Sequence, residues 1–144
     1  MATFNKFNSF VECLAEKVHN LESDVIKIAL TNTAPIATNT WHEHLTGPIT
    51  TNVITLSDDA TGMVVHHVTS EQAAGVYKLC LNDIVITADG GAIATFRYVV
   101  LYNNTATNDE LIGWYDYGVG GVTLLTGETL TVDFSAGAGV LTIT

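Results

Sequence analysis

Apolar and polar residues alternate with a period of two over most of the chain, from Val25 to its end. A β-strand with one buried face requires this period, because successive side chains point to opposite sides of a sheet. The helical crossovers of roughly 10–15 residues that parallel strands need are missing. The sequence therefore predicts a mainly β fold, an antiparallel β-sandwich or β-barrel of about ten short strands. The predicted strands are Val25–Thr31, Ile49–Leu56, Met63–Thr69, Val76–Leu81, Ile84–Ala88, Ala92–Tyr102, Leu111–Tyr117, Val122–Leu125, Thr129–Phe134 and Gly139–Thr144.

The start of the chain has a different period. Apolar residues recur at spacings of three and four from Phe4 to Leu21, and on a helix they cover an arc of about 140°. Thr3 is a suitable N-cap, and residues 20–24 end the segment. We expect an N-terminal arm and one amphipathic α-helix within residues 1–23, covering a side or an edge of the sheet. With the β region at 24–144 it forms one domain, since a chain of 144 residues fits one domain.

Three turns are readable in the sequence, one of them Ser135-Ala136-Gly137-Ala138, which leads into the last predicted strand. Asn82-Asp83 predicts a hairpin that joins Val76–Leu81 to Ile84–Ala88. Thr126-Gly127-Glu128 predicts a turn that joins Val122–Leu125 to Thr129–Phe134.

Two longer stretches read as loops, Asn32–Pro48 and Asn103–Glu110. Both are rich in Asn and Thr, whose side chains bond to nearby backbone groups. Because binding residues concentrate in loops on rigid scaffolds, these loops are candidate contact segments.

Charge and segment composition exclude several classes of function. The chain has 15 acidic and 5 basic residues and a net charge of −10, which repels the phosphates of nucleic acid. No window approaches the ~20 apolar residues of a membrane span, and no signal peptide is visible, so we expect a soluble protein kept inside the cell. In that compartment Cys13 and Cys80 are expected as free thiols, buried or half-buried; a bridge between them is the alternative.

Four histidines lie close together along the chain, at His42, His44, His66 and His67. Such groups build zinc sites, but the spacing lacks the regularity of known ligand pairs, so exposed histidines are favoured over a metal site. Patterns of nucleophilic catalysis and phosphate binding are missing as well. We therefore expect a protein that is not an enzyme and uses no cofactor.

Aromatic residues cluster near the end of one predicted strand. Alternation places Trp114 and Asp116 on one face and Tyr115 and Tyr117 on the other. Trp114, Tyr115 and Tyr117 are a candidate aromatic platform for sugar rings, although cross-strand core pairs more often explain such residues.

The neighbouring strand is also aromatic, and its alternation predicts Phe96, Tyr98 and Tyr102 on a single face. Arg97 then lies on the opposite face, where it is able to pair with Asp116 across the strands.

Whole segments resemble a family of small virion structural proteins of tailed bacteriophages, of the head-decoration or cement type. They are KFNSFVECLAEKVHNLESDVIKIALTNTAPIATNT at the start, then AAGVYKL, FRYVVLYNNTATNDELIGWYDYG and LTGETLTVDF, and GVLTIT at the end. Together they cover most of the chain. The chain departs from the family at Glu22, where relatives often carry Gly, and over Trp41–Gly62, where they carry a Gly/Asn-rich stretch.

The resemblance implies a decoration protein that binds the outer surface of the major capsid shell and stabilises it. Its partners would be the major capsid protein and further copies of itself, most naturally as a homotrimer at three-fold positions. It would be made in the host bacterial cytoplasm and would end on the outer capsid surface of the virion. The alternative is a tail, baseplate or fibre component, with Trp41 and the aromatic platform recognising glycans.

Contacts with a capsid are expected from the N-terminal arm, from the two loops and from the region in which the family match fails. The residues chosen as candidate contacts are Phe4, Phe7, Pro35, Trp41, His42, His44, Asn103, Asn104 and Asp109.

Overall fold

The computed structural model describes residues 2–40, 63–65, 67–134 and 138–144. Within these ranges the chain forms one short helix near its start and twelve strands, all pairings being antiparallel, so the predicted mainly β fold is confirmed. The elements are β1 (Thr3–Lys6), α1 (Ser9–Ala15), β2 (Ile26–Thr31), β3 (Met63–Val65), β4 (His67–Ala73), β5 (Val76–Leu81), β6 (Ile84–Thr87), β7 (Ile93–Phe96), β8 (Tyr98–Asn103), β9 (Leu111–Asp116), β10 (Val122–Leu124), β11 (Thr129–Val132) and β12 (Leu141–Ile143).

The largest sheet has five strands in the order β1-β9-β8-β2-β3. Its central strands β2 and β8 are buried at every position, because both faces of the sheet are covered. Val99 and Leu101 point into the main core, whereas Tyr98, Val100 and Tyr102 belong to a second apolar cluster. A strand covered on both faces loses the apolar–polar alternation that marks a half-buried strand.

The remaining strands form three smaller sheets, β10-β7, β11-β6 and β12-β5-β4. All four sheets contribute side chains to the main core, for example Ile28, Phe96, Ile86 and Leu79. The arrangement is sandwich-like, and the strands in the described ranges do not close into a barrel. Burial of so many aliphatic and aromatic groups, at about 25 cal/mol per Å² of apolar area, is the main stabilising contribution.

The N-terminal helix is shorter than predicted, and Thr3 is not its N-cap. Thr3–Lys6 is a strand that pairs with β9, and the helix covers only Ser9–Ala15. Phe4 and Phe10 still turn toward the core, so the spacing of three between aromatic residues arises across a strand and a helix. The sheet edge offers backbone partners to Thr3–Lys6, and this outweighs a marginal helical preference.

The predicted hairpin at Asn82-Asp83 is wrong, whereas the predicted turn at Thr126-Gly127-Glu128 is confirmed. Residues 82–83 carry the chain from β5, which pairs with β4 and β12, to β6, which pairs with β11. Residues 126–128 form a turn in which Glu128 N–H donates to the Leu125 carbonyl, but the flanking strands β10 and β11 also belong to different sheets. Turn residues therefore predicted where the chain changes direction, but they did not predict which strands pair with each other.

The predicted strand Ala92–Tyr102 is divided at Arg97 into β7 and β8, which lie in different sheets. As a result Phe96 points into the main core, while Tyr98 and Tyr102 lie in the second cluster. The prediction of one shared face is wrong for Phe96, because the break at Arg97 restarts the alternation.

Candidate contact surface

The loop after β2 is shaped by its own side chains. The Thr31 hydroxyl accepts a hydrogen bond from the Thr33 backbone N–H at 3.0 Å. The Asn39 side-chain oxygen accepts one from the Ile36 N–H at 2.8 Å. The predicted turn chemistry of Asn and Thr is confirmed here, and the loop has a defined conformation over residues 32–40.

This loop is also bonded to two other parts of the chain. The Ala37 carbonyl accepts a hydrogen bond from Asn8 N–H at 2.8 Å, immediately before α1. The Thr40 carbonyl accepts one from Leu111 N–H at 3.1 Å, at the start of β9. The loop is therefore fixed between the helix and the five-stranded sheet.

The loop between β8 and β9 is organised by Asn103. Its side-chain oxygen accepts hydrogen bonds from the backbone N–H groups of Thr105 and Ala106, at 2.9 and 3.2 Å. Its own N–H donates to the Glu110 carbonyl at 2.9 Å, which closes the loop. Glu110 directly precedes Leu111, whose N–H is bonded to Thr40 of the first loop. The two loops therefore meet at the start of β9.

The two loops and the start of α1 thus lie beside one another; we call residues 32–40 and 104–110, with Asn8 and Ser9, the loop face. Ile36 is 62% exposed on it, Asn104 is exposed, and Pro35 and Asp109 are half-buried. Phe7 and Asn103 are fully buried, which leaves neither side chain available to a partner.

Beneath the second loop lies a buried polar group that sequence reasoning missed, the His19–Asn103 cluster (His19, Asp24 and Asn103). Asn103 Nδ2 donates to the Asp24 carboxylate at 2.6 Å and lies 3.1 Å from His19 Nδ1. Because the Asn103 oxygen faces two N–H donors, its amide nitrogen must face His19. His19 Nδ1 is then an acceptor, and the ring proton sits on Nε2, which is buried without a partner in the described residues.

The His19 ring is 4% exposed and stacks on Phe10 at 5.3 Å between centroids. Burial lowers its pKa below the ordinary 6.5, and the negative charges of Glu110 and Asp24 oppose the shift without cancelling it. His19 is therefore uncharged at neutral pH. No local pattern reveals this cluster, since Asn103 lies 84 residues from His19 and 79 from Asp24.

The predicted pairing of Arg97 with Asp116 is confirmed. The guanidinium donates from Nε and Nη2 to the two carboxylate oxygens, both at 2.7 Å. Gly118 N–H donates to the same carboxylate at 2.7 Å. These donors hold the pKa of Asp116 at about 2, mainly through Arg97, although both side chains are one third exposed. The pair fixes the break between β7 and β8 to the end of β9.

The aromatic platform residues do not form one surface. Tyr115 is 8% exposed and packs on Phe4 in the main core, with 5.3 Å between the ring centroids. Burial raises the pKa of Tyr115 above the ordinary value. Trp114 lies on the opposite face of β9, as alternation predicts, and packs on Phe7 at 4.5 Å. Tyr117 is half-buried against the main core. Tyr115 is a core residue, and Trp114 is partly covered.

The cysteines lie as predicted, with Cys80 buried, Cys13 half-buried and no bond between them. Burial, followed by the charge of Glu110, raises the pKa of the Cys13 thiol. Cys13 is therefore a weak nucleophile at neutral pH.

The candidate metal ligands are outside what the structure describes. His42, His44 and His66 fall between the described ranges, as does Trp41, and for His67 the backbone alone is described. In the part of the chain that is described, no three His, Cys, Asp or Glu residues are grouped for a metal ion.

None of the helices in the described ranges is long and apolar enough to cross a membrane. No family model matches the chain, and no curated protein or solved structure matches it. Its function therefore has to be argued from its own residues and geometry.

Proposed function

We propose that this protein is a phage capsid decoration protein, which binds the outer surface of the major capsid shell through the loop face and stabilises the shell. The observation that carries the proposal is the contiguity of segments chosen separately in the sequence. The residues before α1 are bonded to Ala37, and Thr40 is bonded to the start of β9. The described parts of the two candidate loops therefore make one surface with Asn8 and Ser9, which directly follow the strand β1 and Phe7.

The rigidity of this surface supports a binding role. Side-chain and backbone hydrogen bonds hold both loops, so little conformational entropy is lost when they meet a partner. A decoration protein repeats the same weak contact many times around a symmetric shell, and a preformed loop surface suits that use.

Charge and exposed apolar groups support the same role. A protein on the outside of a DNA-filled shell has no need of a basic surface, and this chain carries −10. Ile36 offers an exposed apolar side chain at the centre of polar loops, the composition of an interface core inside a polar rim. We include self-association as a homotrimer in the proposal, with sedimentation equilibrium as its measurement.

The test is binding of the purified protein to undecorated phage capsids, measured by cosedimentation, with heat release of DNA from filled heads as a second readout. We expect binding by the wild type and at least about tenfold weaker binding by Ile36→Asp, because a buried charge replaces an apolar contact. Val119→Asp is the matched control, since Val119 is 93% exposed on a different turn.

Equal binding by Ile36→Asp would remove the loop face from the proposal. No wild-type binding to capsids, with antibody label on the tail of intact virions, would reject the decoration role in favour of a tail, baseplate or fibre component.

A further inference from the structure

A groove of about 510 Å³ separates the start of the chain from its end. One wall is formed by β1 and α1, and the other by β12. We call it the edge groove; its walls include Phe4, Lys6, Val11, Leu14, Leu141 and Ile143.

Both walls carry the free edge of a sheet. β1 is the outermost strand of the five-stranded sheet, and β12 is the outermost strand of the three-stranded sheet. Among the described residues each has one strand neighbour, and no described strand pairs with its other side. Free edges of this kind are where extended segments of another chain add as a strand.

The groove is apolar and open. Val11 on α1 is 53% exposed and Ile143 on β12 is 37% exposed, and they stand on opposite walls. A segment lying between them would bury both, which favours an occupant with apolar side chains.

The charge of the groove differs from that of the protein. Lys6 is the one charged side chain in its lining, in a chain of net charge −10. Leu14 and Ile143 also line a second depression, and the lining of that depression includes one basic and one acidic residue, Lys17 and Glu22. Of the other three basic residues, Arg97 is paired with Asp116, Lys27 is buried, and Lys78 lies on β5 outside the lining of the groove. Lys6 therefore offers an attractive site for a carboxylate.

We propose that the edge groove binds an extended, apolar segment that carries a carboxylate opposite Lys6 and that lies between β1 and β12 as an added strand. The segment comes from a capsid subunit; this source rests on the proposed decoration function. Together with the loop face, the edge groove gives one copy two separate contacts, so that it can hold two neighbouring capsid subunits.

The experiment compares variants in binding to undecorated capsids. Val11→Asp and Ile143→Asp should each bind at least about tenfold more weakly, because they place a charge where apolar groups are covered. Val119→Asp should bind like the wild type. Lys6→Glu should weaken binding and Lys6→Arg should retain it, and circular dichroism of each variant confirms folding. Hydrogen exchange on decorated shells should show protection of amides in β1 and β12.

The outcomes separate the two proposals. Wild-type binding that Val11→Asp and Ile143→Asp leave unchanged rejects the edge groove and keeps the decoration function. No binding by the wild type rejects the decoration function, and with it this source for the segment. Dissociation of a wild-type oligomer by Val11→Asp, seen by sedimentation, assigns the groove to a second copy of the chain and overturns the proposal.

Discussion

Strand β8 has a polar cluster at each end, and the two clusters are built differently. At its start, Arg97 pairs with Asp116, and both side chains remain one third exposed. At its end, Asn103 is fully buried and bonds to His19, Asp24 and its own loop. The first cluster lies where the chain enters the five-stranded sheet from β7, and the second lies where it leaves β8 for the loop before β9.

The difference follows from access to water. Where solvent reaches the groups, charges can be used, since their hydration is only partly lost, and their mutual attraction is screened. Where solvent is excluded, the neutral Asn103 amide satisfies the loop backbone and bonds to a neutral imidazole, so that neither fully buried group carries a charge. The one carboxylate of the cluster, Asp24, is only half-buried. We therefore expect the buried end of β8 to contribute far more to stability than the exposed end.

The largest effect is expected for Asn103→Ala. This change leaves the Thr105 and Ala106 N–H groups without their side-chain acceptor. It also removes one of the two donors to the Asp24 carboxylate, which keeps the Asn20 N–H. The free energy of unfolding should fall by about 3 kcal/mol, as several polar groups lose their partners. Urea denaturation followed by circular dichroism measures it.

Asn104→Ala is the matched control, because Asn104 is the next residue and is exposed. It should change the free energy of unfolding by about 0.5 kcal/mol or less. Similar losses for the two variants would contradict the comparison between the ends of β8.

A medium effect is expected from pH at His19. The pKa of His19 is lowered on folding, so below its ordinary value of 6.5 the unfolded chain binds a proton more readily than the folded one. Stability that is fully present above pH 6.5 is therefore lost as the pH falls, with a slope of at most about 1.4 kcal/mol per pH unit. Urea midpoints at a series of pH values measure the slope.

His19→Phe isolates this contribution, because a phenyl ring keeps the stacking on Phe10 and does not titrate. The variant should lose part of the pH dependence that the wild type shows below pH 6.5. An unchanged dependence would assign it to the other histidines.

The smallest effect is expected for Asp116→Asn, since the pair is exposed to solvent and screened by salt. The difference in stability between the wild type and Asp116→Asn depends on pH and changes at acidic pH. The pKa of Asp116 is lowered from 3.8 to about 2, so its contribution is present above pH 3.8 and is lost as the pH falls through 2. Acid titrations of the wild type and Asp116→Asn at low and at about 1 M salt should differ only in that window and mainly at low salt.

The sequence predicted the exposed cluster and missed the buried one, for a physical reason. Arg97 directly precedes β8 and Asp116 ends β9, the strand that pairs with β8. Alternation along these two neighbouring segments of the sequence was enough to predict that the two side chains lie on the same face. His19 and Asn103 meet only because the end of the helical region packs beneath a distant loop. Periodicity carries no information about such a meeting.

The fold shows the same limit. Alternation predicted most of the described strands and the antiparallel class, but it missed β1 and did not separate β3 from β4 within the predicted strand Met63–Thr69. It also did not separate β7 from β8, because Arg97 continues the alternating pattern through the break. The spacing of Phe4, Phe7 and Phe10 fits one helix as well as a strand followed by a helix. The pairing of Thr3–Lys6 with the edge of β9 that β8 does not occupy decides between them.

The pairing of β1 with β9 has a consequence for how the protein is made. Its partners lie about 110 residues apart in the chain, which places this fold among those with slow, non-local folding steps. A ribosome adding roughly 5–20 residues per second completes β9 several seconds after it has made β1. During that time Phe4 and Phe7 emerge without the strand that covers them. Until β9 has been made, the nascent chain therefore exposes these aromatic side chains, which are then open to association with other chains.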